Sequence, residues 1–403
     1  MKLNRRHFLS LSAATASLTF LGAPGLRAAS PTDPRFVFIF LRGGMDGLGA
    51  VPVPADENYK RLRPSLAMSA SETLALDDTF ALHPELTDVH RLFNSGQATI
   101  FHGIASPNRD RSHFDAIRQL EQGSDTLDSI SDGWLGRASS LLYPDEEAAS
   151  IALSNGIPLS LLGGDNVVNW APSKLPSAPA AFLDALEKLY GDDSALQSTL
   201  QAGRAANDIA DSAKESGGTS GDDNNMMMAG PAAGAGSPEG LAASAGLFLS
   251  KDDGPRIAML DIGSYDTHQN EANDLRGRLG ELNNSLAALE ANLGNAWQHT
   301  TVFAVSEFGR TVAENGTKGT DHGTGGVAFL AGGAVSGGSV KADWRGLSES
   351  ALFENRDLVP AYDVRSVLKA ILIDHLGMNS VDVENQIFPQ SDEVAKMEGL
   401  FHG

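Results

Sequence analysis

The sequence contains no cysteine. Disulfide bonds, thiolate metal ligands and cysteine nucleophiles are therefore excluded. Any metal ion would have to be bound by oxygen and imidazole ligands. With 403 residues, 41% of them hydrophobic, the chain can still bury a substantial core, either as one large domain or as two ordinary ones.

Basic residues are also few. Lys and Arg number 30 against 51 Asp and Glu, which gives a formal net charge of −21. Because polyphosphate binding requires a basic surface, this balance argues against a nucleic-acid partner. An acidic surface is compatible with divalent cations, but composition alone does not identify a metal site.

The apolar run at residues 9–21 is too short to span a bilayer comfortably, so no permanent membrane anchor is expected. It follows Asn4-Arg5-Arg6-His7-Phe8-Leu9, which resembles the twin-arginine export motif, and a small-residue stretch ends at Ala28-Ala29. We interpret residues 1–29 as a twin-arginine signal peptide. The Tat translocase would be a partner during export, and the mature chain, 30–403, would be periplasmic or extracellular.

Short apolar runs alternate with segments of helical periodicity along the mature chain. The predicted strands are 36–41, 98–102, 151–153, 159–162, 256–260, 301–305 and 327–330. The predicted helices are 113–122, a leucine stripe within 275–293, and 364–376. This alternation favours an α/β fold with a largely parallel sheet and helices on both faces.

The segment from about 205 to 242 has a different composition. It contains SGGTSGDDNN, three methionines and AGPAAGAGSPEG, with almost no aromatic or branched side chains. Such a segment cannot bury enough apolar surface to offset the entropy of ordering it. We therefore predict a flexible insertion or surface loop with short helical ends.

Acidic and histidine residues follow the apolar runs at four places. They are Asp46, Asp266 with His268, Glu307, and Asp321 with His322. Because the carboxyl ends of parallel strands lie along one edge of a sheet, where ligands bind, these side chains are candidates for one metal centre. The alternative is structural: Asp46, for example, could equally be a turn aspartate that caps its own backbone.

The stretch 106–114, SPNRDRSHF, leads into the first predicted helix. Ser112 could be a plain N-cap, or a nucleophile placed in the field of the unpaired helix N–H groups. His113 could be a metal ligand, a proton donor or a helix-surface residue. The guanidinium groups that could hold a tetrahedral oxyanion are those of Arg109, Arg111 and Arg310.

Seven motifs occur in order: RGGMDG, RSHFDA, GWLGR, YDTH, SEFGRT, GTDHG and DHLG. Together they resemble a large group of twin-arginine-exported bacterial proteins known only as a domain of unknown function. That group is placed in the alkaline-phosphatase-like superfamily, with the sulfatases and cofactor-independent phosphoglycerate mutases. The resemblance covers nearly the whole mature chain. It implies an alkaline-phosphatase-like core, one or two divalent ions (zinc, manganese, calcium or magnesium) and a nucleophile at Ser112.

The resemblance also implies that Asp46 and His322 are metal ligands. One position departs from the superfamily pattern, because Phe308 stands where a histidine is expected and phenylalanine cannot bind a metal. Either Asp321 or His113 fills the gap, or one metal binds, or the second site is lost. The predicted function is an exported metal-dependent hydrolase or transferase acting on phosphate or sulfate esters, with a small-molecule or glycan ester as substrate. The alternative is a non-catalytic, metal-stabilised periplasmic or cell-surface module in envelope or polysaccharide assembly.

Overall fold

The computed structural model describes residues 33–127, 130–173, 178–191, 193–216 and 236–402. The predicted signal peptide, and the centre of the predicted insertion at 217–235, lie outside the described residues. Within the described ranges, no helix is long and apolar enough to cross a membrane.

Eleven strands occur in the described part of the chain. In order they are β1 (Arg35–Leu41), β2 (Leu74–Ala75), β3 (Ala81–Leu82), β4 (Ala98–Ala105), β5 (Ser150–Leu153), β6 (Val167–Trp170), β7 (Ile257–Ile262), β8 (Thr300–Val305), β9 (Gly326–Ala331), β10 (Ser339–Ala342) and β11 (Tyr362–Asp363). Nine of them form one sheet in the order β10-β4-β9-β8-β1-β7-β5-β6, with β11 pairing beside β4. The short β2 and β3 form a separate antiparallel pair.

The large sheet is mostly parallel. β1, at its centre, pairs in parallel with both β7 and β8, and the β5–β6, β5–β7 and β4–β10 pairs are parallel as well. β9 runs antiparallel to its neighbours β4 and β8. The predicted fold class, a largely parallel α/β sheet, is confirmed.

Helices cover both faces of this sheet. They are α1 (Gly47–Ala50), α2 (Glu57–Leu62), α3 (Thr87–Asn94), α4 (His113–Gln122), α5 (Trp134–Leu142), α6 (Ala180–Tyr190), α7 (Ser194–Ser216), α8 (Pro238–Leu249), α9 (Glu271–Leu293), α10 (Val364–Ala370) and α11 (Ser380–Asp382). Alternate residues of β1 enter two separate cores, because side chains alternate across a strand. Val37, Ile39 and Leu41 pack with the leucine stripe of α9, whereas the phenylalanines of β1 pack with α5 and α10.

One local prediction is wrong, and one predicted helix changes type before its end. The run 159–162 is not a strand but a 3₁₀ turn, Leu159–Leu161, since a four-residue apolar run carries no reliable period and Pro158 precedes it. This turn lies so close to Gly133 that a Cβ there would be 1.9 Å from the Leu159 carbonyl oxygen. The last predicted helix is α-helical only to Ala370 and continues as a π-helical turn, Ile371–His375.

Candidate metal centre

Three histidines and one aspartate meet where the strands end. His113 is the first residue of α4, Asp266 and His268 follow β7, and His322 lies between β8 and β9. Donor atoms of His113, Asp266 and His322 all lie within 4.8 Å of one another. His268 Nε2 is 3.0 Å from His322 Nε2 and 3.0 Å from Asp266 Oδ1. We call these four residues the histidine cluster.

The histidine cluster is compact. His322 Nε2 is 3.1 Å from His113 Nε2 and 3.2 Å from Asp266 Oδ1. Asp266 Oδ2 is 3.5 Å from His113 Nε2. The side chains of Asp266 and His268 are 45% and 44% exposed, so the cluster is open to solvent on that side.

The imidazole tautomers follow from what lies behind each ring. His113 Nδ1 is 2.7 Å from Glu307 Oε1, and His322 Nδ1 is 2.9 Å from the Arg111 carbonyl oxygen. Both partners only accept hydrogen bonds, so Nδ1 carries a proton in each ring, and each ring in its neutral form presents its Nε2 lone pair to the cluster. Two neutral rings in this arrangement would bring their lone pairs to 3.1 Å and repel each other. A cation between them would remove that repulsion, and histidine ligands of metals are held from behind in this way.

The donor spacing fits a small divalent ion. With bonds of about 2.0–2.1 Å, neighbouring ligand atoms are about 3.3 Å apart in a tetrahedron and about 2.9 Å apart in an octahedron. The donor pairs in contact here are 3.0–3.5 Å apart. Imidazole nitrogen suits zinc, whereas calcium and magnesium prefer oxygen-only sites. Of the four ions implied by the sequence, the donor set therefore favours zinc.

Phe308 has a structural role beside this cluster. It is 5% exposed, and its ring centroid lies 4.8 Å from that of His113 and 5.0 Å from that of His322. The ring therefore forms an apolar wall against two candidate ligands. Gly44 (φ +66°) makes room for it, because a Cβ at Gly44 would be 2.3 Å from Phe308 Cε2.

Two predicted ligands lie behind histidines instead of facing the other donors. Glu307 is fully buried, binds the backbone N–H of Gly43 at 2.9 Å and contacts His113 Nδ1. Burial acts to raise the pKa of Glu307, but the hydrogen bonds from His113, Ser306 and backbone N–H groups together outweigh it, and the pKa is lowered. Asp321 Oδ1 is 3.4 Å from His268 Nδ1. Glu307 and Asp321 thus orient the rings.

Asp46 is placed apart from the histidine cluster. Its carboxylate is 1% exposed and receives two hydrogen bonds from Arg63, at 2.5 and 2.8 Å, and Arg63 is itself fully buried. Burial acts to raise the pKa of Asp46, but the Arg63 guanidinium holds it below its usual range. Asp46 therefore already has a cationic partner inside the protein.

The three arginines predicted to hold an oxyanion differ in what they bind. Arg310 is buried, donates to Asp266 Oδ1 at 2.5 Å and also bonds carbonyl oxygens, including that of Gly44. Arg111 pairs with Asp357, at 2.9 Å, and with Glu354. Arg109 is exposed, and its recorded hydrogen bonds go to the carbonyl oxygens of Ser106 and Asn108.

Ser112 is the N-cap residue of α4, and its side chain does not cap the helix. It lies between His113 and Arg111, whose backbone has a left-handed φ of 58°. That conformation accompanies the hydrogen bond from His322 to the Arg111 carbonyl. Ser112 is thus next to His113 in the chain, and its hydroxyl makes no capping hydrogen bond to α4.

Sequence reasoning missed the partners of Asp46. Arg63 follows a short helix, and its position 17 residues from Asp46 matches no motif. Glu271, in the first turn of α9, has the position of an ordinary acid that complements a helix dipole. No sequence pattern around Arg63 or Glu271 distinguishes these buried residues from surface arginines and glutamates.

Among solved structures, the chain is similar to PsFucS1 sulfatase from Pseudoalteromonas sp., with 11% identity, a TM-score of 0.38, and 94% of this chain and 74% of that chain covered. It is also similar to a protein in the alkaline phosphatase superfamily from Vibrio parahaemolyticus, with 14% identity, a TM-score of 0.34, and 82% and 69% covered. It is similar as well to alkaline phosphatase from the Antarctic bacterium TAB5, with 12% identity and a TM-score of 0.34. That match covers 76% of this chain and 95% of that chain.

No curated protein matches the sequence. A family model does match it, over residues 33–380, which is most of the chain and contains every residue of the histidine cluster. The chain therefore belongs to the protein family of unknown function DUF1501.

Proposed function

We propose that this protein is a metal-dependent hydrolase with one divalent ion, held by His113, Asp266, His268 and His322. The observation that carries the proposal is the convergence of donor atoms of His113, Asp266 and His322 within 4.8 Å of one another, with His268 Nε2 3.0 Å from both His322 Nε2 and Asp266 Oδ1. The substrate class, phosphate or sulfate esters, is inferred from the resemblance of the motifs. An ion bound there would act as a Lewis acid and supply positive charge to a substrate oxygen.

The chain's own groups prepare the cluster for this chemistry. Glu307 holds a proton on Nδ1 of His113, and the Arg111 carbonyl does the same for His322, so both Nε2 lone pairs face inward. The Ser112 hydroxyl is the candidate nucleophile, at a helix N-terminus whose N–H groups favour an anion. Of the three arginines, Arg109 is the one whose recorded partners are uncharged, so it is the candidate for binding a non-bridging oxygen.

Metal content tests the centre directly. Purified mature protein would be loaded with zinc, desalted and analysed by elemental mass spectrometry, beside His322→Ala and a control, His299→Ala. His299 is an exposed histidine outside the cluster. We expect about one zinc per chain in the wild type and the control, and loss of that zinc from His322→Ala. A wild type that binds no zinc would contradict the proposal.

Hydrolysis of nitrophenyl phosphate and nitrophenyl sulfate tests the chemistry. We expect Ser112→Ala to keep the zinc and lose hydrolysis, because the hydroxyl is absent and every predicted ligand remains. Full activity in Ser112→Ala would overturn the nucleophile assignment while leaving the metal centre in place.

A second candidate is a non-catalytic, metal-stabilised module. It is favoured by Arg111 and Arg310, which already pair with carboxylates and leave little free positive charge for an oxyanion. Phosphate and vanadate separate the two candidates. Binding of phosphate or vanadate to the zinc-loaded protein supports the hydrolase. Absence of binding supports the non-catalytic module.

A further inference from the structure

Behind the histidine cluster lies a second group of side chains, all of them buried: Arg63, Asp46, Glu271 and Thr320. We call this group the buried network. We propose that the buried network is a positioning device, which fixes the loops carrying His268 and His322 so that their Nε2 atoms converge. The inference rests on the proposed metal centre.

The link closest to the cluster is a single hydrogen bond. The Thr320 hydroxyl donates to Glu271 Oε2 at 2.6 Å. Thr320 precedes His322 by two residues, and Glu271 follows His268 by three. The bond therefore ties one histidine loop to the other, next to a backbone bond from Thr320 N to the Thr267 carbonyl at 3.2 Å.

The next link joins two carboxyl groups. Asp46 and Glu271 are both buried and close enough to act on each other's charge, which favours a proton on one of them. Burial and then the charge of Asp46 raise the pKa of Glu271 to about 9, so Glu271 is the neutral partner. A neutral carboxyl can donate to Asp46 through one oxygen and accept from Thr320 through the other.

Arg63 completes the network. Besides binding both oxygens of Asp46, it donates to the carbonyl oxygens of Thr311, at 2.8 Å, and Val312, at 2.7 Å. These residues directly follow Arg310, which holds Asp266. The buried network thus contacts the loops of His268 and His322, and it contacts the segment next to Arg310, which binds Asp266.

The charges of the network balance without an added ion. Arg63 is positive, Asp46 is negative and Glu271 is neutral, in a region from which water is excluded. Loss of one partner of a buried charge pair is strongly destabilising, so the Arg63–Asp46 pair should persist throughout the folded state. Both oxygens of Asp46 bind Arg63 and the side chain is sealed from solvent, so Asp46 is not placed to bind a second metal.

Thr320→Val tests the positioning role, because valine keeps the volume and removes the hydroxyl. The matched control is Thr301→Val, since the Thr301 hydroxyl is also buried but has no hydrogen-bond partner among the residues that the structure describes. Zinc affinity would be measured by chelator competition, and the melting temperature would be measured without metal. We expect zinc binding about tenfold weaker in Thr320→Val, the scale seen when groups behind metal ligands are removed. Thr301→Val should bind like the wild type, and Thr320→Ser should recover most of the loss.

The two measurements separate positioning from general stability. Weaker zinc binding at an unchanged metal-free melting temperature, restored by serine, supports positioning. Equal zinc affinity in Thr320→Val and Thr301→Val overturns it, while zinc binding by the wild type would leave the proposed function standing. If Thr320→Val does not fold, Glu271→Met provides the same test from the other side of the bond. Wild-type affinity in Glu271→Met would also overturn the positioning role.

Discussion

The histidine cluster and the buried network share a sheet edge but differ in what neutralises their carboxylates. Asp46 is sealed from water against the Arg63 guanidinium. Asp266 pairs with a buried arginine too, Arg310 at 2.5 Å, but it is 45% exposed and its oxygens also lie 3.0–3.5 Å from three imidazole nitrogens. An acid that follows a buried strand is therefore a candidate metal ligand where its carboxylate stays open to solvent and faces imidazole nitrogens. The comparison predicts different consequences for the same kind of mutation.

The largest expected effect is on folding, and it comes from Asp46→Asn. This change leaves the Arg63 charge buried without a carboxylate, which costs about 3–5 kcal/mol. Asp266→Asn should lower the metal-free free energy of unfolding by less than Asp46→Asn does, because Asp266 is half exposed and solvent screens part of its interaction with buried Arg310. Urea denaturation in the presence of a chelator measures both.

Zinc titration of the same two variants provides the complementary measurement. Asp266→Asn should weaken zinc binding, while Asp46→Asn, where it folds, should retain a site with one zinc per chain. The reverse pattern, with Asp46→Asn stable but unable to bind zinc, would show that Asp46 is a ligand and that the comparison is wrong.

The elements of the fold were predictable where a pattern extends over many residues. The continuous apolar run of β1 and the leucine stripe of α9 each indicate one structure, and both are observed. The run 159–162 was too short to separate a strand from a turn. β9 was expected as a strand, but its antiparallel direction depends on long-range pairing with β4 and β8.

The candidate site was predictable in composition but not in the role of each residue. The positions of Asp266, His268 and His322 after strands indicated that they would meet. Glu307 also follows a strand, so the same pattern predicts it as a ligand. Its carboxylate instead contacts His113 Nδ1, on the side of the ring away from the cluster, and the sequence does not show this side-chain direction. Asp46 has the same sequence context as Asp266, and only the distant Arg63 distinguishes them.

A separate effect is expected in the pH dependence of stability, through Glu271. Its pKa is about 9 in the folded protein against an ordinary value of 4.5, so the folded state binds one more proton than the unfolded state between these values. Stability should therefore fall as the pH rises through this window, by at most about 1.4 kcal/mol per pH unit. Glu271→Gln cannot ionise and should show a flatter profile.

Urea denaturation of metal-free protein at pH 5, 7 and 9 measures these slopes. A control is Glu290→Gln, at the far end of the same helix, where the glutamate pairs with Arg91 at the surface. We expect the control to follow the wild type. A Glu271→Gln profile as steep as that of the wild type would mean that Glu271 is ionised in the folded protein and that the charge balance of the network is different.

The smallest effects separate two carboxylates that orient histidines within the cluster itself. Glu307 is fully buried and 2.7 Å from His113 Nδ1, whereas Asp321 is 56% exposed and 3.4 Å from His268 Nδ1. Glu307→Gln should weaken zinc binding about 10- to 100-fold, because the ring loses a charged partner that is fully buried. Asp321→Asn should weaken it less than about fivefold, since exposed ion pairs contribute about 0–1 kcal/mol. Chelator competition measures both affinities at the same ionic strength. Equal losses of zinc affinity in the two variants would mean that burial does not decide how strongly a carboxylate orients its histidine. The difference between buried and exposed carboxylates would then not apply to the histidine cluster.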